Sequence, residues 1–320
     1  MAYKIYAPKP IYDGGMKALS DLGFEFIGVG KGSPEDLKEY TPQADVIIAR
    51  VHYWSDELLA TAKNLKLFMV HGVGYQDHVV AADAAKRGIY VTYSPYGNFN
   101  TVAEGCVALT MALVKNVCEY NNGVRSPEGF VIKNAIELED STVGILGVGN
   151  IARSYAHKMH YGMGCDIVGY KRTRDDTIPH YIKMMDSMDE VFKRSDIVSL
   201  HIPGEPKYKN MINKHHFDLM KPGSYFINTA RYVLVNHDDL YDALKSGHLA
   251  GAAADVNYNE YPDGKKLFEL PNFINTPHAM AASVASLARS GDNCVDEIRR
   301  VMLEGKPPIH WVNRDGFIPR

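Results

Sequence analysis

Three ionisable residues stand out for what they could do together: Arg231 in Phe-Ile-Asn-Thr229-Ala-Arg231, Glu260 a few positions after Asp255, and His278 in Thr-Pro277-His278. A planar guanidinium can hold a carboxylate through two parallel hydrogen bonds and polarise a carbonyl next to it. An imidazole can donate a proton near neutral pH to an oxygen that is becoming negative. A carboxylate beside it raises its pKa and keeps it charged. These are the parts needed to reduce a 2-keto acid, provided a hydride is supplied by a bound cofactor. Met singly, each residue reads more plainly, as a surface ion pair, a solvated side chain or a loop histidine.

The hydride source has its own pattern. Thr-Val-Gly-Ile-Leu-Gly147-Val-Gly149-Asn150-Ile151-Ala152-Arg153 is a G-x-G-x-x-A sequence at the end of an apolar run. The first glycine makes a tight turn, the second lets backbone approach a pyrophosphate, and Ala152 permits close packing of helix on strand. The helix that follows offers its N-terminus to the negative charge. At the end of the next apolar run, Asp166 to Tyr170, a domain built for NAD carries an acidic residue for the adenosine ribose. Here Lys171, Arg172 and Arg174 stand instead. NADP is therefore the preferred expectation and NAD the alternative, with Lys171 and Arg172 assigned to the 2′-phosphate. Asp175 and Asp176 partly neutralise this run, which also fits a solvated basic loop.

These residues need a frame in which turns follow parallel strands. Residues 3–7, 24–29, 44–51, 67–72 and 90–92 read as strands, alternating with helical stretches at 12–22, 56–63 and 80–87. A long apolar helix is expected over 100–115, with Thr101 and Glu104 as a capping box. A second series of six strands begins at Thr142: 143–147, 166–170, 197–202, 225–229, 251–256 and 274–276. A helix over 238–245 starts after Asn236 and stops before Gly247. A last amphipathic helix over 282–303 carries Val284, Leu287, Val295, Ile298 and Met302 on one side and returns to the first domain. The expected fold is thus α/β with two Rossmann-like parallel-sheet domains, the first built from both chain ends: residues 1–99 plus 289–320 for substrate, and 100–288 for the dinucleotide.

The order of these motifs, together with Lys86-Arg87-Gly88 and Asn98 to Glu104, resembles the D-isomer-specific 2-hydroxyacid dehydrogenases over nearly the whole chain. The resemblance implies hydride transfer between NAD(P)H and the 2-position of a small D-2-hydroxy or 2-keto acid, with Arg231, Glu260 and His278 catalytic. It implies that Asp255 holds the nicotinamide carboxamide, that His201 and Pro203 wall the adenine side, and that Thr229 belongs to the cofactor set. The backbone amides of Val73 and Gly74 would face the substrate carboxylate, alongside Arg231 and His278, and the protein would be a homodimer. His52, Tyr53 and Trp54 stand in a loop that shapes substrate preference in the family, and they read equally well as a partly buried aromatic cluster at the surface. Tyr232 follows Arg231 where the family commonly has glycine, and is expected to narrow the entrance.

Composition limits the rivals. The 320 residues suit two domains. A net charge of -3, with 46% hydrophobic and 23% charged residues, gives no support to nucleic-acid or membrane-surface binding. No apolar run reaches the roughly 18–20 residues of a membrane span. Four cysteines without metal-ligand spacing, and an N-terminus lacking the features of a secretory leader, lead to the expectation of a reduced, cytoplasmic protein with no metal. Two other readings remain open. One is a formate or phosphite dehydrogenase on the same fold, which usually places Gln where Glu260 stands. The other is a corepressor-like protein that senses the nucleotide.

Overall fold

The computed structural model describes residues 2–173, 175–257 and 264–319. Glu260 and Arg174 lie outside them. The chain divides into two compact units, residues 1–98 with 282–320 and residues 99–281.

The first unit is a five-stranded parallel sheet in the order β2-β1-β3-β4-β5, where β1 is Lys4–Tyr6, β2 Glu25–Ile27, β3 Val46–Ala49, β4 Leu67–Val70 and β5 Tyr90–Tyr93. Strands β3 and β4 are buried along their whole length, so they read as unbroken apolar runs. Alternate residues then serve opposite faces. Ile5, Val46, Ile48, Leu67 and Met69 meet one core, and Tyr6, Ile47, Ala49, Phe68 and Val70 meet the other. Helix α1 (Asp13–Asp21) and the last helix, α11 (Val284–Met302), cover the first face, bringing Leu19, Cys294, Ile298, Val301 and Met302 to it. Helices α2 (Pro34–Tyr40), α3 (Asp56–Thr61) and α4 (Ala81–Lys86) complete the unit. The residues after α11 are tied down by two buried polar side chains. Glu297 accepts from the amides of Ile309 and His310, and Asn313 exchanges hydrogen bonds with the backbone of Val91 and Ile89.

The second unit is a seven-stranded parallel sheet in the order β12-β11-β10-β9-β6-β7-β8. Its strands are β6 Thr142–Leu146, β7 Asp166–Tyr170, β8 Ile182–Met184, β9 Ile197–Leu200, β10 Ser224–Asn228, β11 Leu249–Asp255 and β12 Phe273–Thr276. Helices α5 (Phe99–Val114) and α7 (Asn150–Met163) pack on one face, and α8 (Met188–Arg194), α9 (Lys214–Leu219) and α10 (His237–Lys245) on the other. A short helix, α6 (Val117–Gly123), follows α5 after a left-handed Asn116.

Four sequence expectations are corrected. The boundary expected at 288/289 falls inside α11, whose cap Ser283 accepts from the Ser286 amide, and the whole helix stays with the first unit. On that helix Val284 is 88% exposed, so the apolar stripe begins later. Helix α5 starts at Phe99, which puts Thr101 inside it. Glu104 is bonded by the Asn100 side chain at 2.7 Å, so no capping box forms there. Elements not placed from the sequence include α2, α6, α8, α9 and the three-residue edge strand β8.

Candidate active site

All seven strands of the second sheet run the same way, so the turns after β6, β9, β10, β11 and β12 lie along one edge of it. This is where open α/β sheets bind their ligands. The fingerprint turn follows β6. Gly147 has φ +88°, and a Cβ on it would stand 2.6 Å from the His201 carbonyl oxygen, so both conformation and space demand glycine. Nothing lies within 4 Å of the position a Gly149 Cβ would take, and Gly149 caps α7. Open backbone at a helix N-terminus is what a pyrophosphate needs, so these residues fit a dinucleotide. Asn150 is exposed at the start of α7, while Ile151 packs against the core.

After β7, Lys171 is ion-paired with Asp175, whose carboxyl is held well below its usual range by Lys171 and Thr177. Arg172 donates to the Tyr208 hydroxyl at 2.8 Å, a neutral partner. After β9, His201 accepts or donates at 3.0 Å with Ser199 and sits near the Tyr155 ring. Burial pushes its imidazole down to about 3. Pro203 and Gly204 continue the loop.

After β10, the buried Asn228 side chain organises the turn. It accepts from the Ala230 amide at 3.0 Å and donates to the Arg231 carbonyl at 3.0 Å. Arg231 Nη1 donates to the Ala230 carbonyl at 2.8 Å. Tyr232 stacks on His237 with centroids 4.0 Å apart and packs against the core. Its bulk is thus absorbed at the start of α10, contrary to the expectation that it narrows an entrance. Thr229 pairs with the Cys106 thiol of α5 at 3.1 Å, and burial pushes that thiol up to about 12.

After β12, His278 has φ +55° and is exposed. Its turn is built on Asp255, the buried last residue of β11. Asp255 Oδ1 accepts from Thr276 Oγ1 at 2.7 Å and the Ala279 amide at 2.8 Å, and Oδ2 from the Met280 amide at 3.0 Å. Three of roughly four acceptor positions on this carboxylate are therefore spent on the turn. Met280 is seated over Gly105 of α5, where an added Cβ would stand 2.7 Å from Met280 Cβ.

In the first unit, Val73 and Gly74 follow β4, and Tyr75 to Asp77 form a 3-10 turn. The loop is pinned by a bridge between Trp54 and Val79. Trp54 is fully buried and donates to Thr41, which makes it a core residue, whereas Tyr53 is 49% exposed. Burial and the nearby Arg50 charge push the His71 imidazole down to about 4.

Residues 107–280 match the family model described as D-isomer specific 2-hydroxyacid dehydrogenase, NAD binding domain, which is more than half the chain. The chain belongs to the D-isomer-specific 2-hydroxyacid dehydrogenases. It is 32% identical to a glyoxylate reductase of Thermococcus litoralis, over 98% of each chain. It is 30% identical to a D-3-phosphoglycerate dehydrogenase of Methanocaldococcus jannaschii, covering 97% of this chain and 59% of that protein. Among solved structures, the NAD complex of a formate dehydrogenase from Staphylococcus aureus superimposes with a TM-score of 0.79 at 30% identity, over 94% of this chain and 96% of that one. The family accounts for the seven-stranded dinucleotide fold and the reaction class of this dehydrogenase. Among the described residues no single helix is long and apolar enough to cross a membrane, and no cluster of His, Cys, Asp or Glu could hold a metal.

Sequence reading missed Asn228, Gly204 and Gly105, none of which carries reactive chemistry. Asn228 directly precedes Thr229 and Gly105 lies in the expected helix over 100–115, but what each holds depends on its neighbours in space.

Proposed function

We propose that this dehydrogenase reduces a small 2-keto acid of the glyoxylate and hydroxypyruvate class, with Arg231 holding the carboxylate and His278 donating the proton. The observation that carries this reading is the turn built on Asp255. It fixes His278 after β12, on the same sheet edge as the Arg231 turn and the Gly147–Gly149 turn. A bound nicotinamide supplies the hydride to the 2-carbon. Arg231 orients the substrate through its planar fork. His278, assisted by Glu260, protonates the oxygen. The amides of Val73 and Gly74 are proposed to meet the substrate carboxylate from the first unit. Full-length similarity to glyoxylate reductases supports a substrate of this size.

We further propose a preference for NADPH. Lys171 and Arg172 stand where an acidic residue would reject the 2′-phosphate, and Arg172 faces a neutral phenol. His201, Pro203 and Thr229 complete the proposed cofactor set. A panel of 2-keto acids measured with NADPH and NADH, with formate oxidation measured with NADP+ and NAD+ as the contrasting arm, tests both points. Glyoxylate or hydroxypyruvate reduction, faster with NADPH, is expected. Formate oxidation without keto-acid reduction would overturn the substrate reading, and a tenfold NADH preference the cofactor reading.

A further inference from the structure

Gly204 follows Pro203 in the loop after β9, and its φ is outside the left-handed region, so its backbone does not call for glycine. What calls for glycine is space. The three nearest atoms to a Cβ built there all belong to Arg231: Cβ at 2.5 Å, Cγ closer still, and Cδ at 3.4 Å. The aliphatic stem of Arg231 thus lies against the bare Cα of Gly204. The contrast with Gly147 is instructive, since there both φ and a neighbouring carbonyl impose glycine.

The backbone of Arg231 has little freedom to give way. Asn228 clamps its carbonyl from one side. On the other side the turn is laced to the same post-β9 connection, through Asn210 N to Val233 O at 2.8 Å and Ile212 N to Leu234 O at 2.9 Å. Contacts under 3.0 Å to Cβ and Cγ cannot be relieved by moving the flexible end of the side chain. Rotation about Cα–Cβ leaves Cβ in place, so a methyl group at 204 must push the held backbone of Arg231 aside and turn the stem with it. A small rotation there swings the guanidinium, several bonds farther out, by more than a bidentate hydrogen bond tolerates.

We propose that Gly204 is a positioning residue for substrate recognition: its missing side chain is the seat that aims the Arg231 guanidinium. This rests on the reading of Arg231 as the carboxylate-binding residue. The test compares Gly204→Ala, Arg231→Ala and the double variant with the parent. The readouts are KM and kcat for glyoxylate, inhibition by oxamate as a non-reacting carboxylate probe, the Kd of NADPH by nicotinamide fluorescence, and Tm.

Gly204→Ala should raise KM and the oxamate inhibition constant tenfold or more, with kcat falling less. The NADPH Kd should stay within about twofold, while Tm falls by the few degrees that an overpacked contact costs. In the Arg231→Ala background the same change should add less than about threefold. Gly204→Ala with parental KM and oxamate binding, beside a crippled Arg231→Ala, overturns the seat alone. Loss of NADPH binding in parallel with KM also overturns it, because the loop would then be disturbed as a whole. An Arg231→Ala variant that keeps parental kcat/KM overturns the reading of Arg231 and the seat with it.

Discussion

His278 occupies a backbone conformation that costs a residue with a Cβ about 1–2 kcal/mol, and three hydrogen bonds to Asp255 hold the turn in place. A proton donor held this way needs no reorganisation when substrate arrives. If His278 is the donor, His278→Ala should lower kcat for keto-acid reduction by roughly 10²–10⁴ while NADPH binding is unchanged. Glu260→Gln should act differently. Removing a carboxylate that favours imidazolium lowers the pKa of the donor, so reduction should fade at a lower pH than in the parent. Arg231→Lys should mainly raise KM, since an ammonium cannot reproduce the planar fork. Profiles of kcat/KM against pH for the three variants check this. An unmoved profile for Glu260→Gln, or a fully active His278→Ala, would sink the assignment.

Among the elements, α5 has a part in the site that its apolar sequence does not advertise. Gly105 lets Met280 sit down on the helix, and Met280 ends the turn that carries His278. Gly105→Ala would improve helix propensity, by about 1 kcal/mol on intrinsic scales, yet overpack this contact. With an overpacking cost of about 1–3 kcal/mol set against that gain, the expected result is a net loss of up to about 2 kcal/mol of stability by denaturant titration, with kcat reduced more than KM. A more stable, fully active variant would show that the seat is unimportant. This contact also marks how far the sequence could be read. Strands β3, β4 and β6 to β12 other than β8 were legible because buried parallel strands are unbroken apolar runs between turn residues. Helix α10 was legible from both ends, and Asn236 does accept from the Asp238 and Asp239 amides. Strand β8 was not, because three residues at a sheet edge carry too little pattern. The box at Thr101 failed because Asn100 and Lys158 form a different polar set around the start of α5. Reactive residues announced themselves by type, whereas the glycines that seat them are silent until their neighbours are known.

Among the described residues, burial pushes five histidines, His52, His71, His201, His216 and His237, toward the neutral form, three of them strongly. Burial, with the Arg50 charge beside it, depresses His71 to about 4, and burial depresses His201 to about 3 and His237 to about 4. Their folded pKa values lie below the ordinary 6.5, so the unfolded chain binds more protons between about pH 4 and 6.5. Stability should be complete above that window and fall as pH drops through it, by up to about 1.4 kcal/mol per pH unit for each group. Denaturant midpoints at pH 7.5 and 5 test this, and equal midpoints would refute it; His71→Gln should flatten the slope. We also propose that the protein is a homodimer joined through α6 and the stretch after it. Val117, Val124, Phe130, Val131 and Ile132 are all exposed there, Ile132 by 82%, which is an unusual concentration of apolar surface. Light scattering at micromolar concentration should give twice the chain mass, and Val131→Asp with Ile132→Asp should halve it. A monomeric parent would end this proposal.

The return of α11 to the first sheet also bears on how the chain is made. A ribosome releases residues 1–98 first, yet Ile5, Val46, Ile48, Leu67 and Met69 wait for Cys294, Ile298 and Met302 to cover them. At about 5–20 residues per second, the intervening unit takes roughly 10–40 s to emerge. That unit is continuous in the chain and holds all the partners of its own sheet, so it can close while the earlier strands still lack their cover. Maturation therefore runs against the order of synthesis. The half that emerges first is finished last, and in the interval its sheet face, covered by α1 but not yet by α11, stays open to misassociation.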